Sequence, residues 1–356
     1  MATRTPISTL SPESGTKSPP EDADVRRRLL TSIQGTPIVI PDFQELMDHY
    51  PFEVHPEVDR LDDDVEKSLE LIFPDPKDQD RLRKMKLARH AFLGASWWPY
   101  PSFEALCIAT HLGVWLFSWD DEIDSQEYSS MMQDADKSRE FRSETIAYIQ
   151  ASLSPNKIPK PSEISTNPLI TGFNRIAEAV VDTYDASQTE TLLRELKRYI
   201  QMTEEEQTLK LKDYIPTIEE YLRCRMGTSA VGPSIAIHEY ALGMRIPQDV
   251  MQSELMQRIW HETNMIISVT NDVFSLKKEI DQGEVDSLVP LLFLEQGSVQ
   301  SAVDQATDIV RSSIQRLDAA EQEILERYSS MPALHSEIAE FIKSCKFACT
   351  GNLNWR

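Results

Sequence analysis

The chain has 356 residues, with 36 Lys plus Arg against 58 Asp plus Glu and a formal net charge of −22. Nucleic-acid phosphates are gripped by basic patches, so this balance argues against a nucleic-acid partner, and the lack of any uncharged apolar run of about 18 residues argues against a membrane span. With 40% hydrophobic residues the chain can build a large core, and its 11 glycines fall well below the usual share of roughly 7%, which favours helices over hairpins.

Residues 1–36 carry Pro6, Pro12, Pro19 and Pro20 among Ser, Thr and charges, with no apolar signal-like stretch. A mobile arm is expected there, followed by one domain over 37–356. Pro51 and Pro56 interrupt the next stretch, after which Leu61, Val65, Leu69 and Ile72 recur at helical spacing until Pro74 and Pro76. Similar periodicity predicts helices over 81–97, 103–117, 141–153, 169–181 and 192–211. It continues over 218–226, 234–241, 250–276, 303–328 and 334–347, with breaks at 154–168 and 280–287. Strand-like alternation is nearly absent and no repeat divides the chain, so the expected class is all-α, a single domain of about ten helices. The cysteines Cys107, Cys224, Cys345 and Cys349 are scattered, which fits a reducing, cytoplasmic setting without a disulfide framework.

Three constellations carry chemistry. Asp120, Asp121 and Asp124 follow the apolar run Val114 to Trp119, and helical spacing puts Asp120 and Asp124 on one face. Such carboxylates repel unless a cation joins them, and oxygen ligands suit a hard ion such as Mg²⁺; a solvated acidic helix end is the plainer alternative. Asn271, Ser275 and Glu279 fall at i, i+4 and i+8, lining one helix stripe with an amide, a hydroxyl and a carboxylate, next to Lys278 as a point charge for an oxyanion. An ordinary polar stripe is the alternative here. Third, Gly227 and Gly232-Pro233 lie inside a helical pattern and predict a kink, into which Arg225 enters. A guanidinium so placed needs an anionic partner, either a diphosphate or one of the chain's many acids.

Other chemistries lack their residues. His261-Glu262 has no second histidine for a zinc helix, Gly-rich phosphate loops and a Gly-x-Ser-x-Gly elbow are missing, and Asp62-Asp63-Asp64 is a plain acidic run at a helix start.

Together the motifs resemble the signature of the class I terpene synthases, specifically the microbial, fungal-type sesquiterpene cyclases, over most of the chain beyond the arm. The family's Asp-Asp-x-x-Asp motif is matched by Asp120, Asp121 and Asp124, and its Asn-Asp-x-x-Ser-x-x-x-Glu motif by Asn271, Ser275 and Glu279. The family's diphosphate-sensing arginine precedes the second motif by the same 46 residues that separate Arg225 from Asn271. The resemblance implies a helical class I fold with a central cavity, Arg225 as sensor, Thr228 as linker and Ser229 as effector. It further implies three Mg²⁺ ions, with farnesyl diphosphate as substrate, ionised and cyclised to a sesquiterpene hydrocarbon or alcohol. Geranyl and geranylgeranyl diphosphate stay open. Phe117, one turn before Asp120, is the first candidate to face a carbocation; Phe92, Trp97, Trp98, Trp115 and Trp355 are weaker ones. A chain-elongating prenyltransferase, which carries two aspartate-rich motifs, and an inactive helical binding protein are the alternatives. The family usually closes with an Arg-Tyr pair beyond a Gly-Asn-Leu-x-Trp segment, whereas this sequence ends at Gly351-Asn352-Leu353-Asn354-Trp355-Arg356. Either the natural chain is longer, or the diphosphate is held with fewer donors.

Overall fold

The apolar runs form helices in a computed structural model that describes residues 19–355, save 155, 157, 158 and 213, and only the backbone of 19–23. Strands are absent among the described residues. The chain opens with α1 (Pro19–Ile33), α2 (Phe43–Leu46), α3 (Val58–Ile72), α4 (Gln79–Leu87), α5 (His90–Trp97) and α6 (Phe103–Asp124). It continues through α7 (Ala135–Ser152), α8 (Pro161–Ile164), α9 (Pro168–Thr171), α10 (Asn174–Val181), α11 (Ala186–Leu211) and α12 (Ile218–Thr228). It closes with α13 (Val231–Ala236), α14 (His238–Leu242), α15 (Gln248–Met251), α16 (Glu254–Asp281), α17 (Leu288–Gln296), α18 (Val299–Arg327) and α19 (Pro332–Trp355). None of these helices is long and apolar enough to cross a membrane, and the four cysteines are free and buried.

Local chemistry sets the helix starts. The Ser102 hydroxyl accepts the Ala105 N–H to begin α6, and Thr217 with Glu220 forms a reciprocal capping box at α12. In α3, Leu61, Val65, Leu69 and Ile72 are all buried, each contributing roughly 1.5–3 kcal/mol. Trp115 and Trp119 of α6 are fully buried against Phe173 and Phe141. That packing turns the opposite face of α6, with Gly113, Phe117 and Asp120, toward a central cavity. On the far wall α16 packs on α18 and α19 and presents Ile267, Ser268 and Asn271 to the same space.

Several expectations change. Nineteen α-helices stand among the described residues where about ten were expected, α8 falls inside the break expected over 154–168, and 250–276 is divided between α15 and α16. Pro19–Ile33 is a helix, with Leu29 and Ile33 buried and Arg26 bonded to Asp286 and to the Tyr214 carbonyl, so the mobile arm does not extend over that segment. Residues 1–18 lie outside the described residues. The single helix expected over 81–97 is two, because the chain turns at Ala88-Arg89, where Arg89 adopts φ 55°. The Trp355 indole N–H caps the Ala88 carbonyl at 2.7 Å, satisfying an end that no Gly or Pro announces. The stretch 280–287 is only partly a break: α16 runs through Asp281, and α17 follows after a short turn. The segments 169–181 and 234–241 are each divided between two short helices.

Candidate active site

The two polar motifs face each other across one opening. Asp120, Asp121 and Asp124 at the end of α6 and Asn271, Ser275 and Glu279 on α16 all line a mouth of about 800 Å³, together with Arg225, Thr228 and Lys278. Beneath it lies a more enclosed cavity of about 230 Å³, walled by Leu93, Trp97, Trp98, Val114, Leu116 and Ile267 among others. Phe117, Asp120, Arg225, Thr228 and Asn271 border both spaces. The site is therefore a polar rim over an apolar bowl.

Each carboxylate of the first motif has a distinct partner. Asp120 accepts a hydrogen bond from the Tyr199 hydroxyl at 3.0 Å. Burial, the neighbouring Asp124 and Glu206, and Asp121 push its carboxyl up to about 7. Asp124 accepts both contacts of the Lys210 ammonium, at 2.8 and 3.0 Å, yet burial still holds it above the usual carboxylate range. The Asp121 carboxyl is raised by burial against the pull of Arg81, whose Nε lies 4.0 Å away. Arg81 is itself buried, bonded to Glu122 and the Ser118 carbonyl and stacked 4.5 Å over Phe73. The negative charge of this rim is thus only partly compensated.

On α16, the Ser275 hydroxyl donates to Glu279 Oε1 at 2.6 Å and lies 2.8 Å from the Asn271 carbonyl. Glu279 Oε2 is buried with no hydrogen-bond partner. The Asn271 side-chain oxygen accepts from Arg225 at 3.1 Å, and Arg225 Nε bonds Asp272 at 3.1 Å. Asp272 also accepts the Tyr221 hydroxyl at 2.6 Å. Burial works against the Arg225 charge, but Asp272 and the acids around it hold its pKa above the ordinary value.

The kink falls where the sequence predicts it, between Gly227 and Gly232-Pro233, although neither glycine is the residue that turns. Gly227 and Gly232 serve close packing, since a Cβ at either would meet Met202 or Glu195 of α11 within 3 Å. Between them the chain turns at Ala230, in the left-handed region at φ 60°, next to Ser229, whose hydroxyl donates to Asn264 Oδ1 at 2.8 Å. Asn264 in turn donates to the Met226 carbonyl and accepts from Ser268. This second ring of partners, Tyr199, Lys210, Asp272, Asn264 and Ser268, escaped the sequence reading. Asn264 and Ser268 had a signal: they precede Asn271 by seven and three residues, extending its stripe two turns deeper.

The aromatic candidates separate. Phe117 is 38% exposed between buried Leu116 and Ser118 and borders the cavity, Trp97 and Trp98 line its wall, and Trp355 lines the mouth. Trp115 belongs to the core, with its indole N–H on the Leu169 carbonyl, and Phe92 sits beneath the Arg89 guanidinium. Asp64 of the acidic run bonds Arg175, and Glu262 bonds Arg316, so both are structural.

The donors fit a hard cation. They are all oxygens, the rim carries partly uncompensated negative charge, and Glu279 Oε2 lacks a partner. Among the described residues no three His, Cys, Asp or Glu side chains converge to hold an ion by themselves.

Comparison with known proteins agrees with this geometry. Residues 111–316 match the model of terpene synthase family 2, C-terminal metal binding. The sesquiterpene cyclase hepA of Aspergillus oryzae is 32% identical over 337 residues, 93% of this chain and 90% of that protein. The terpene cyclase braA of Annulohypoxylon truncatum is 30% identical, over 93% of this chain and 88% of its own length. Hedycaryol synthase shares the fold, with a TM-score of 0.71 over 90% of this chain and 98% of its own at 20% identity. The motif residues, their placement around one cavity and these relatives together make the chain a member of the terpene synthase family, a terpene cyclase.

Proposed function

We propose that the protein is a Mg²⁺-dependent sesquiterpene synthase that ionises farnesyl diphosphate and cyclises the resulting cation, releasing diphosphate. The observation that carries this reading is the meeting of the two oxygen-rich motifs at the rim of an apolar cavity. Asp120, Asp121 and Asp124 would hold Mg²⁺ from one wall and Asn271, Ser275 and Glu279 from the other, three ions in all by resemblance. Bound there, the metal neutralises the charge that develops on the leaving diphosphate.

The chain's own groups do the rest. Arg225 is preorganised by Asp272 and Asn271 to meet diphosphate oxygens, and Lys278 adds a second positive charge at the same mouth. Thr228 and Ser229 carry that contact to the turn at Ala230, which Asn264 anchors. The walls around Leu93, Val114 and Ile267 keep bulk water from the cation and fold its chain. Phe117, exposed to the cavity, faces the positive charge with its ring.

The test is incubation of purified protein with farnesyl, geranyl and geranylgeranyl diphosphates, with and without Mg²⁺, and mass spectrometry of the extract. A cyclic C15 product that needs Mg²⁺, and that Asp120→Ala and Asn271→Ala each abolish while the fold survives, is the expected result. Full activity in those two variants would refute the metal assignment.

A further inference from the structure

Resting on that reading, one feature of the bowl does not suit a hydrocarbon. Five buried side chains bordering it carry polar atoms without any hydrogen-bond partner: both ring nitrogens of His90, the indole N–H groups of Trp97 and Trp98, the Thr110 hydroxyl and the Asn352 amide nitrogen. Each of these residues is at most 7% exposed. Buried polar groups are nearly always paired, and a cluster of exceptions around one cavity points to a polar occupant. A farnesyl chain cannot pair them, because its only oxygens sit at the diphosphate end.

The helix geometry places Thr110 and its neighbours away from the diphosphate end, whereas His90 borders both the bowl and the mouth. Thr110 precedes Asp120 by ten residues on α6, which is about 15 Å along the helix. Gly94 of α5 lies against Thr110, where a Cβ would come within 2.1 Å of its hydroxyl, and Gly351 of α19 abuts Ser96 and Trp97 in the same way. Trp355, one turn beyond Asn352, stands 6.2 Å from the His90 ring. The two helices therefore run antiparallel, and Asn352 falls between the level of Trp97 and that of His90.

We propose that Thr110, Asn352 and the Trp97 and Trp98 indoles hold one water molecule at this inner pole, and that this water ends the reaction as an alcohol. A site offering two to four polar partners within an apolar cavity is what a buried water requires. In the closing step the water oxygen donates a lone pair to the cationic carbon, forming a C–O bond. One O–H proton then passes to a ring nitrogen of His90, which releases it to solvent through the mouth. No redox change occurs, and water is the only co-reactant. His90 is suited to the task because burial lowers it to about 4, leaving the imidazole neutral with an open lone pair at ordinary pH.

The experiment is turnover of farnesyl diphosphate with Mg²⁺ in H₂¹⁸O, read by mass spectrometry. The expected main product is a C15 alcohol carrying the label. Thr110→Val and Asn352→Leu keep side-chain shape but remove a hydrogen bond to the water, and each should lower the alcohol-to-hydrocarbon ratio by about tenfold. A wild-type product that is hydrocarbon only overturns the inference and leaves the synthase reading standing, as does an alcohol fraction unchanged in both variants. A wild-type product without an alcohol overturns the inference even if a variant fails to fold. Absence of any Mg²⁺-dependent product from the three prenyl diphosphates overturns both.

Discussion

A pair of substitutions separates the hold of Arg225 on Asp272 from its proposed part in binding diphosphate. Its Nε holds Asp272, a residue 2% exposed whose other oxygen takes the Tyr221 hydroxyl, and its Nη2 holds the Asn271 amide. Arg225→Met deletes the guanidinium but keeps most of the stem, leaving the Asp272 carboxylate buried with only neutral donors, the Tyr221 hydroxyl and the Leu288 backbone N–H. Breaking a buried ion pair in this way costs about 3–5 kcal/mol. For a domain of this size that is a fall in Tm of about 6–10 °C, at about 2 °C per kcal/mol. Adding Asp272→Asn removes the stranded charge while Tyr221 keeps a partner, so the double variant should regain about 2–3 kcal/mol.

Turnover should not follow stability. If Arg225 also binds diphosphate, the double variant stays at least about 100-fold below wild type in kcat. Acidity gives an independent check. Burial already raises the Asp272 carboxyl, and loss of Arg225 raises it further. The folded variant then holds a proton that the unfolded chain has lost above about pH 4. Its deficit against wild type is therefore largest near pH 8 and shrinks as the pH falls through the raised value. Thermal melts across that range, with product assays on the same samples, test both halves. An Arg225→Met variant melting within about 1 °C of wild type would refute the ion-pair argument. A stable double variant with restored turnover would show that Arg225 serves only to hold Asp272.

Three further predictions concern other parts of the site. Asp120 is raised to about 7, so metal-free protein should lose stability as the pH rises from about 4 through 7, and Asp120→Asn should flatten that slope in urea melts. Phe117→Leu should leave the melting temperature nearly unchanged, since the ring is 38% exposed, but lower kcat/KM by up to about 30-fold if the ring stabilises a cation by about 2 kcal/mol. Gly94→Ala drives a methyl group into Thr110, whose Oγ1 would lie 2.1 Å away; a loss of about 1–3 kcal/mol in chemical denaturation is expected, together with an altered product profile.

The features legible in the sequence were those governed by local spacing. Leu61, Val65, Leu69 and Ile72 locate α3 because a helical period is a property of neighbours along the chain, and the same holds for the two polar motifs at the mouth. The break at Ala88-Arg89 was illegible because its determinant is Trp355, distant in sequence and brought close only by packing. α1 was missed for the same reason: Leu29 and Ile33 are buried in the tertiary core, and Arg26 finds Asp286 across 260 residues. Tyr199 and Lys210, which hold Asp120 and Asp124, lie 79 and 86 residues from them, beyond any motif.

The position of the chemistry follows from the register of two helices on opposite walls. On α6 the aspartates stand at the last turn, where the apolar run ends, and Thr110 stands about 15 Å deeper. On α16 the polar stripe does not stop at Asn271 but continues inward through Ser268 and Asn264 to the turn at Ala230. An apolar chain gripped at the rim would thus meet polar groups along one wall and again at depth, and how those groups are satisfied bears on what happens to the cation. In the proposed reaction the rim motifs serve ionisation, and they are the residues a sequence pattern can find. Fate after ionisation depends on His90, Thr110 and Asn352, from three separate helices, whose meeting at one cavity depends on the tertiary packing.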